Sequence, residues 1–529
     1  MKTKRNLILL SMTLISGILT AMTLQYDPLY PLSYVSLSPF FYCIISFWNE
    51  GASYRKLYGI GMLWSMSYYM VVYSFFLAMY PMDFLGLSKI TGGFMVIFCQ
   101  VGLSLLQSIA TAFVAPITRL VCHRRSLSPL IFSTLWIILE WLQNFTWAGV
   151  PFLRLAISQT SFAPAIQSAS ILGSLFLSFI PAFSSAAIGY ALFCLKKCGR
   201  HNFMVKLYPI IAILLIGANL IFGAVKIACY SDNTDRGVKV ALIQANIGSI
   251  DKWEDGQMIN TIERHIELSQ RAIDESGAEF IIFAETAINY DFIAFEDPTV
   301  KNRFATFAKD NNVTLLIGTF TSDDEQNSYN STVIFYPDGS IEDEPYTKRR
   351  LVPFGEFVPM EDLLRVLFPF LTDMNLFEGQ ITPGADSAVK EAAGGKIGRL
   401  ICFDSIYDYL TRKTSADGAE MILLSTNDSW YLDSPAVYIH NDHAKLRAVE
   451  SGKYLLRAAN TGVSSIIDPL GRTKSELGPL KEGIVTETAY FNSERTIYSY
   501  TGNLIVAFAI IFIAYEATER ILSKKRRNN

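Results

Sequence analysis

The chain has 529 residues, too many for one ordinary domain. A mean hydropathy of +0.28, with 51% hydrophobic and only 18% charged residues, excludes a typical soluble enzyme and suits a protein that is part membrane. The formal net charge of −3 argues against a nucleic-acid partner, whose usual footprint is a basic face.

A bilayer crossing needs roughly 20 mostly apolar residues. Seven such stretches come first, at about 6–25, 29–48, 58–80, 92–117, 129–148, 165–195 and 207–228, and an eighth follows at about 500–518. Cytoplasmic loops hold the excess of Lys and Arg. The N-terminus carries Lys2, Lys4 and Arg5, and alternate loops carry Arg55 and Lys56, then Arg119, Arg124 and Arg125, then Lys196, Lys197, Arg200 and Lys206. The C-terminus ends Lys524-Lys525-Arg526-Arg527. Eight spans with both ends inside satisfy this alternation and put the region from about 230 to 499 outside the cytoplasmic membrane. The expected organisation is a membrane domain at 1–229, a water-soluble domain at 230–499, and a last span with a basic tail at 500–529. The first apolar run reads either as a cleaved signal peptide or as an uncleaved anchor, and its length and the lack of a clear small-x-small site after it favour the anchor. Glu140 falls inside the fifth span, where an ionisable group faces protein or a water-filled cavity; a packing hydrogen bond and a functional role both stay open.

From Val238 the texture changes. Residues 238–246 read as a buried strand, 256–275 as an amphipathic helix, and 278–284 as a second strand ending at Glu285. A helix at 298–310 and a strand at 313–320 follow, and residues 330–336 meet a Pro-Asp-Gly-Ser turn at 337–340 that suggests a hairpin. Beyond Lys348, strands at 396–402 and 420–426 flank a short helix, a long helix occupies 434–457, and 463–467 is another strand. Strands alternating with helices indicate a layered α/β domain, in which polar residues at strand ends gather into sites.

Three strand-end residues carry chemistry. Cys402 ends the run Lys396-Ile-Gly-Arg-Leu-Ile-Cys402 and is the one cysteine of seven well inside the soluble region. The others lie in or beside apolar spans, so no disulfide framework is indicated, and Cys194-x-x-x-Cys198 among lysines makes a poor metal site. A thiol attacks as thiolate and needs help, because its free pKa is about 8.5. Glu285, on an apolar strand end where burial would raise its pKa, suits a general base. Lys348 suits a cation that favours the thiolate and holds an oxyanion. The N–H of Phe403, following the nucleophile at a strand-to-helix turn, is a natural second oxyanion donor. Each residue also has a bland reading: Cys402 as a small core hydrophobe, Glu285 as a turn residue, Lys348 as a solvated charge. The rival is a Cys–His dyad using His265, His440 or His443; His440-x-x-His443 shares a helix face with metal-like spacing, but no further ligand set accompanies it.

The order Glu…Lys…Cys resembles the nitrilase, or carbon–nitrogen hydrolase, superfamily, on Phe-Ala-Glu285, Lys348-Arg-Arg-Leu-Val-Pro-Phe-Gly-Glu356-Phe-Val-Pro and Ile-Cys402-Phe-Asp404. With the apolar half, the resemblance narrows to the apolipoprotein N-acyltransferase family. Glu140-Trp-Leu-Gln-Asn-Phe-Thr-Trp-Ala-Gly-Val-Pro151, Gln244-Ala-Asn-Ile247, Lys252-Trp253-Glu, Ser425-Thr-Asn-Asp-Ser-Trp430, Arg457-Ala-Ala-Asn-Thr-Gly462 and Ile467-Asp-Pro-Leu-Gly471 extend it over nearly the whole chain. The resemblance implies an αββα sandwich on an eight-helix membrane domain in a bacterial inner membrane, the catalytic domain facing the periplasm. It implies a ping-pong reaction without metal or cofactor. A phospholipid, usually phosphatidylethanolamine, gives its sn-1 acyl chain to a cysteine as a thioester, and the α-amine of an S-diacylglyceryl-cysteine apolipoprotein takes it as an amide. By motif position Cys402 is the nucleophile, Glu285 the base and Lys348 the oxyanion cation, with Glu356 a second supporting acid and Trp253 a substrate-handling residue.

Two departures stand out: Phe283-Ala284 replaces the usual Trp-Pro before the base, and Phe403-Asp404 replaces the usual Tyr-Glu after the nucleophile. Residues 363–379 are unusually apolar for a loop and read either as a flexible arm that dips toward lipid or as a core helix with a tight turn. The alternatives in function are a membrane-anchored amidase, for which one span would suffice, and a non-catalytic lipoprotein-binding or transporter-like protein.

Overall fold

The computed structural model describes residues 2–82, 88–248, 256–294, 298–367, 380–385 and 388–528. It divides into two compact units, one formed by Met1–Tyr80, Ile90–Tyr230 and Thr501–Asn529, the other by Pro81–Lys89 and Ser231–Tyr500.

The described secondary structure of the first unit is helical. Six of its helical stretches are long and apolar enough to cross a membrane: Thr3–Gln25, Asp27–Asn49, Tyr54–Met79, Lys89–Val121, Ser174–Cys198 and Phe203–Cys229. The other two expected spans differ for physical reasons. The stretch at 129–148 contributes a helix of only 15 residues, Ser128–Leu142. The stretch at 500–518 falls in the helix Leu504–Asn528, where Glu516, Glu519 and Arg520 enter after a short apolar run. Glu140 is buried and bonded on both sides, accepting from Trp136 Nε1 at 2.9 Å and from the Leu155 N–H at 3.0 Å. It ties the end of its helix to the short turns that follow, and buried Arg154 ties the same segment to Asn144 at 2.8 Å. These bonds give the buried carboxyl the partners that burial requires.

Among the described residues the second unit has twelve strands: β1 (Gly237–Gln244), β2 (Phe280–Phe283), β3 (Thr314–Ser322), β4 (Ser328–Phe335), β5 (Tyr346–Thr347), β6 (Val389–Ala392), β7 (Gly395–Ile401), β8 (Met421–Thr426), β9 (Leu455–Ala459), β10 (Ser464–Ile467), β11 (Thr473–Leu477) and β12 (Gly483–Tyr490). They form two six-stranded sheets, ordered β12-β1-β2-β3-β4-β5 and β11-β10-β9-β8-β7-β6. The centre of each sheet is parallel, β1-β2-β3 in one and β7-β8-β9 in the other, with antiparallel strands at the flanks.

Strand periodicity makes this a sandwich. In β1, Val240 and Leu242 point one way and join Phe280, Ile282 and Leu316 in a core shared with Ile397, Met421, Leu423 and Leu456 of the other sheet. Ala241 and Ile243 point the opposite way, with Ile281, Phe283 and Leu315, onto two helices: α1 (Gln257–Ser276), through Ile262 and Leu268, and α2 (Thr299–Asn311), through Phe304 and Ala308. Two further helices, α3 (Asp408–Ala416) and α4 (Pro435–Ser451), belong to the chain of the second sheet. Both central runs are apolar on both faces because both faces are covered.

The helix expected to reach residue 457 stops at Ser451, because Gly452 takes φ +68° and its N–H caps the Ala448 carbonyl. The chain then enters β9. The turn at 337–340 forms, with the Tyr336 N–H donating to Ser340 O at 2.9 Å, but the long partner of β4 is β3, across residues 323–327.

Candidate active site

Glu285 lies just beyond β2, Lys348 just beyond β5, and Cys402 just beyond β7. β2 and β7 are parallel strands of opposite sheets, and Ser425 Oγ of β8, the parallel neighbour of β7, donates to Phe283 O at the carboxyl end of β2 at 3.0 Å. A site therefore forms where the two sheets end together.

Its centre is a buried charge cluster. Lys348 Nζ donates to Glu285 Oε1 and to Glu356 Oε1, each at 2.8 Å. Asn330 Nδ2, from β4, donates to the same two oxygens at 2.8 and 2.9 Å. The far oxygens are held by backbone: Asn427 N–H on Glu285 Oε2 and Val352 N–H on Glu356 Oε2, both at 2.8 Å. Lysine exposure is only 1%, so the cation exists there because two carboxylates meet it. Burial pulls the Lys348 pKa down, but Glu285 and Glu356 more than offset this and hold it well above the usual lysine range.

Glu285 is placed by a close backbone approach. A Cβ on Gly318 of β3 would sit 2.1 Å from Ala284 O and 2.9 Å from the Glu285 Cα, so only glycine lets β3 pass beneath this turn. Thr286 follows with φ +46°.

Cys402 also has φ +46°, a left-handed conformation that is uncommon for a non-glycine residue and concentrates at functional turns. Burial pushes its thiol well up, the Glu285 charge adds to this, and Lys348 only partly opposes it. The sequence expectation that Lys348 would tip the thiol to thiolate is thus outweighed: this geometry favours a protonated thiol beside a carboxylate that can take the proton. Asp404 is fully buried and accepts from the Tyr346 hydroxyl at 2.7 Å, the Arg350 N–H at 2.8 Å and the Ile401 N–H at 3.1 Å. Burial raises its pKa, with Arg349 and these donors opposing. Three donors reach in to meet the shorter acid, which couples the Cys402 turn to the Lys348 segment. Phe403 packs edge-on to Tyr407.

His440, on α4, faces the same turn. Its Nδ1 is 2.8 Å from Asp428 Oδ1, and its Nε2 is 3.0 Å from Ser405 Oγ and 3.2 Å from Cys402 O. Asp428 is held well below the usual carboxylate range: burial opposes this, and Arg457 and His440 overcome it. Cys402, Asp428 and His440 present atoms of metal-ligand type within 4.8 Å of one another. Those of Asp428 and His440 are already committed, to each other and to Arg457 at 2.6 Å. His265 is elsewhere, bonded to Thr261 O at 2.7 Å and tilted against the Phe283 ring.

The structure thus brings together Glu285, Lys348, Glu356, Cys402 and Asp404. Trp253, Phe368 and Phe370 lie outside the described residues. Asn330, Asn427 and Asp428 are additions that sequence reading did not assign, although Ser425-Thr-Asn-Asp-Ser-Trp430, a polar run at a strand end, signalled two of them; His440, named in the sequence only as a rival dyad partner, stands beside the Cys402 turn.

The carbon–nitrogen hydrolase family model matches residues 239–496, and that of the apolipoprotein N-acyltransferase N-terminal domain matches residues 16–187. The apolipoprotein N-acyltransferase of Vibrio parahaemolyticus is 30% identical over 368 residues, 68% of each chain. The chain belongs to the apolipoprotein N-acyltransferase family. The corresponding protein of Geobacter metallireducens is 27% identical over 524 residues, covering 98% of this chain and 95% of that one. Among solved structures, Nit3 of Saccharomyces cerevisiae, a member of the nitrilase superfamily, aligns at 19% identity over 50% of this chain and 93% of its own, with a TM-score of 0.39. As an N-acyltransferase with six helices fit to cross a bilayer, the protein is a membrane-embedded, lipoprotein-modifying enzyme.

Proposed function

We propose that Cys402, Glu285 and Lys348 carry a ping-pong acyl transfer from a phospholipid to the N-terminus of a diacylated apolipoprotein. In the first half, Glu285 takes the thiol proton as Sγ attacks the sn-1 ester carbonyl. The ester C–O bond breaks, the proton passes to the leaving oxygen, and a lysophospholipid departs. In the second half, the α-amine of the S-diacylglyceryl-cysteine attacks the thioester, Glu285 takes a proton from nitrogen, and the thiol is restored as the amide forms. Lys348 and the Phe403 N–H stabilise the oxyanion in both halves. Glu356 and Asn330 hold Lys348 and Glu285 in place.

The observation that carries this reading is the single buried cation shared by two carboxylates beside a desolvated thiol. A protonated thiol next to a base suits attack on an ester, where proton removal coincides with bond formation. A lipid donor is favoured by the apolar side chains exposed along the chain after Lys348: Phe354, Met360, Leu363 and Val366, the last 77% exposed. On this reading 1–229 is the membrane domain and 230–499 the catalytic domain on the periplasmic face of the inner membrane, with phosphatidylethanolamine as donor.

Intact-mass spectrometry of the full chain in micelles with phosphatidylethanolamine tests it. A hydroxylamine-sensitive acyl adduct on the wild type, absent from Cys402→Ser, is the expected result. No adduct on a folded protein would sink the thioester route; an adduct that water clears as fast as an apolipoprotein amine would favour an amidase.

A further inference from the structure

We infer that His440 is a positioning residue for the acyl-transfer turn: held by Asp428, it grips the Cys402 carbonyl and thereby aims the Phe403 N–H at the oxyanion. The inference rests on the reading of Cys402 as nucleophile.

The argument begins with the peptide plane. The Cys402 carbonyl and the Phe403 N–H belong to one planar trans amide and point in opposite directions. Whatever fixes the carbonyl fixes the N–H. Two groups hold that carbonyl, the Ser405 hydroxyl at 2.8 Å and His440 Nε2 at 3.2 Å. A carbonyl oxygen and a carboxylate oxygen can only accept, so in this grip the ring donates from Nε2 to the Cys402 carbonyl and from Nδ1 to Asp428, with a proton on each nitrogen.

The ring is itself held. Nδ1 meets Asp428 Oδ1 at 2.8 Å, and Asp428 Oδ2 accepts from buried Arg457 Nη2 at 2.6 Å. Thr426 Oγ1 approaches Asp428 Oδ1 at 3.3 Å. A Cβ on Gly462 would lie 2.4 Å from Asp428 Oδ2, so the backbone behind the carboxylate is pressed against it. Arg457 lies on β9 and Asp428 follows β8, so the rigid centre of the sheet determines where the ring stands. The turn it grips has a left-handed Cys402, which persists only where surroundings over-determine it. A flip of this one peptide would remove the N–H from the oxyanion and put a carbonyl oxygen in its place.

The test separates positioning from thiol chemistry. Acylation by p-nitrophenyl butyrate needs the oxyanion donor; alkylation by iodoacetamide needs the thiol but forms no oxyanion. In the full chain in micelles, His440→Phe fills the space without a donor. It should slow the p-nitrophenolate burst by about 10- to 100-fold with KM within about threefold, and change alkylation by less than about threefold. His440→Gln, whose amide N–H can reach the carbonyl, should recover to within about fivefold of wild type, and Ser405→Ala should lose about threefold. A burst within about twofold of wild type in His440→Phe would overturn the inference. So would acylation and alkylation falling by the same factor, or His440→Gln no better than His440→Phe. If wild type gives the ester burst but no adduct with phospholipid, the donor assignment fails while the His440 comparison still decides its own question.

Discussion

Replacing Lys348 by Met tests the charge cluster most directly. The side chain keeps its length and loses its charge. In the wild type Nζ lies 2.8 Å from one oxygen of each of two buried carboxylates. At an effective dielectric of about 20, each such contact is worth about 6 kcal/mol before desolvation. Without the cation the two oxygens face each other across at most about 5.6 Å, a repulsion of about 3 kcal/mol or more. One carboxyl can escape by taking a proton, which at pH 7 costs about 3–4 kcal/mol for a carboxyl of ordinary pKa. The expected loss of stability is therefore about 3–5 kcal/mol, in the range of broken buried pairs. At about 2–4 °C per kcal/mol, the melting temperature of the second unit should fall by about 6–20 °C. The pH dependence has a definite sign. In the wild type the Lys348 pKa is raised, so its stabilisation is fully present below about 10.5 and is lost only as pH rises through the higher folded value. In the variant, proton uptake becomes easier as pH falls, so stability should recover from pH 7 toward pH 5. Adding Glu356→Gln should restore about half of the loss, since one carboxylate remains. Differential scanning fluorimetry in micelles reads all of this. A melting temperature within about 2 °C of wild type at pH 7, flat between pH 5 and 8, would refute a buried, charge-balanced triad.

Gly318→Ala should misplace Glu285, because its Cβ cannot share space with Ala284 O; acyl-adduct formation should fall by about 10-fold or more with stability lowered by about 1–3 kcal/mol, and a fully active variant would contradict the close approach. Glu285→Gln should abolish adduct formation yet speed iodoacetamide alkylation of Cys402 at pH 9, since removing the neighbouring charge eases thiol ionisation; slower alkylation would show that Glu285 does not raise that pKa. The Glu420 carboxyl is lowered to about 2, chiefly by its two-pronged bond to Arg236 at 2.7 and 2.8 Å. A depressed pKa stabilises the fold above the unfolded value near 4.5 and loses this as pH falls toward 2, so Arg236→Met should cost about 1 kcal/mol at pH 7, and melting curves of the two proteins should draw together below about pH 4.5 and converge only at about pH 2.

Much of this was readable before any fold was known. Apolar runs that stop at a lone Glu or Cys mark buried parallel strands with their ends at a site, and Glu285 and Cys402 stand there. β9 was hidden because Ser451-Gly452 continues a helical apolar pattern, and only the positive φ of Gly452 ends it. β11 and β12 were hidden because they are half-exposed strands whose short polar alternation has no strong period. Asn330 and Asn427 were not legible as site residues, and His440 was legible only as the partner in a rival dyad. Each acts through a partner at least 38 residues away, and nothing local to them marks that partner.

The stitch between Ser425 and Phe283 spans 142 residues of sequence, as does the bond from Asn427 to Glu285. Contacts of such separation close late, because loop entropy is spent before they repay it. A chain that has formed either sheet without the other has Glu285 without its backbone donor and Cys402 without Glu285 beside it. On the proposed assignment, acyl transfer should begin only when these long-range contacts have formed.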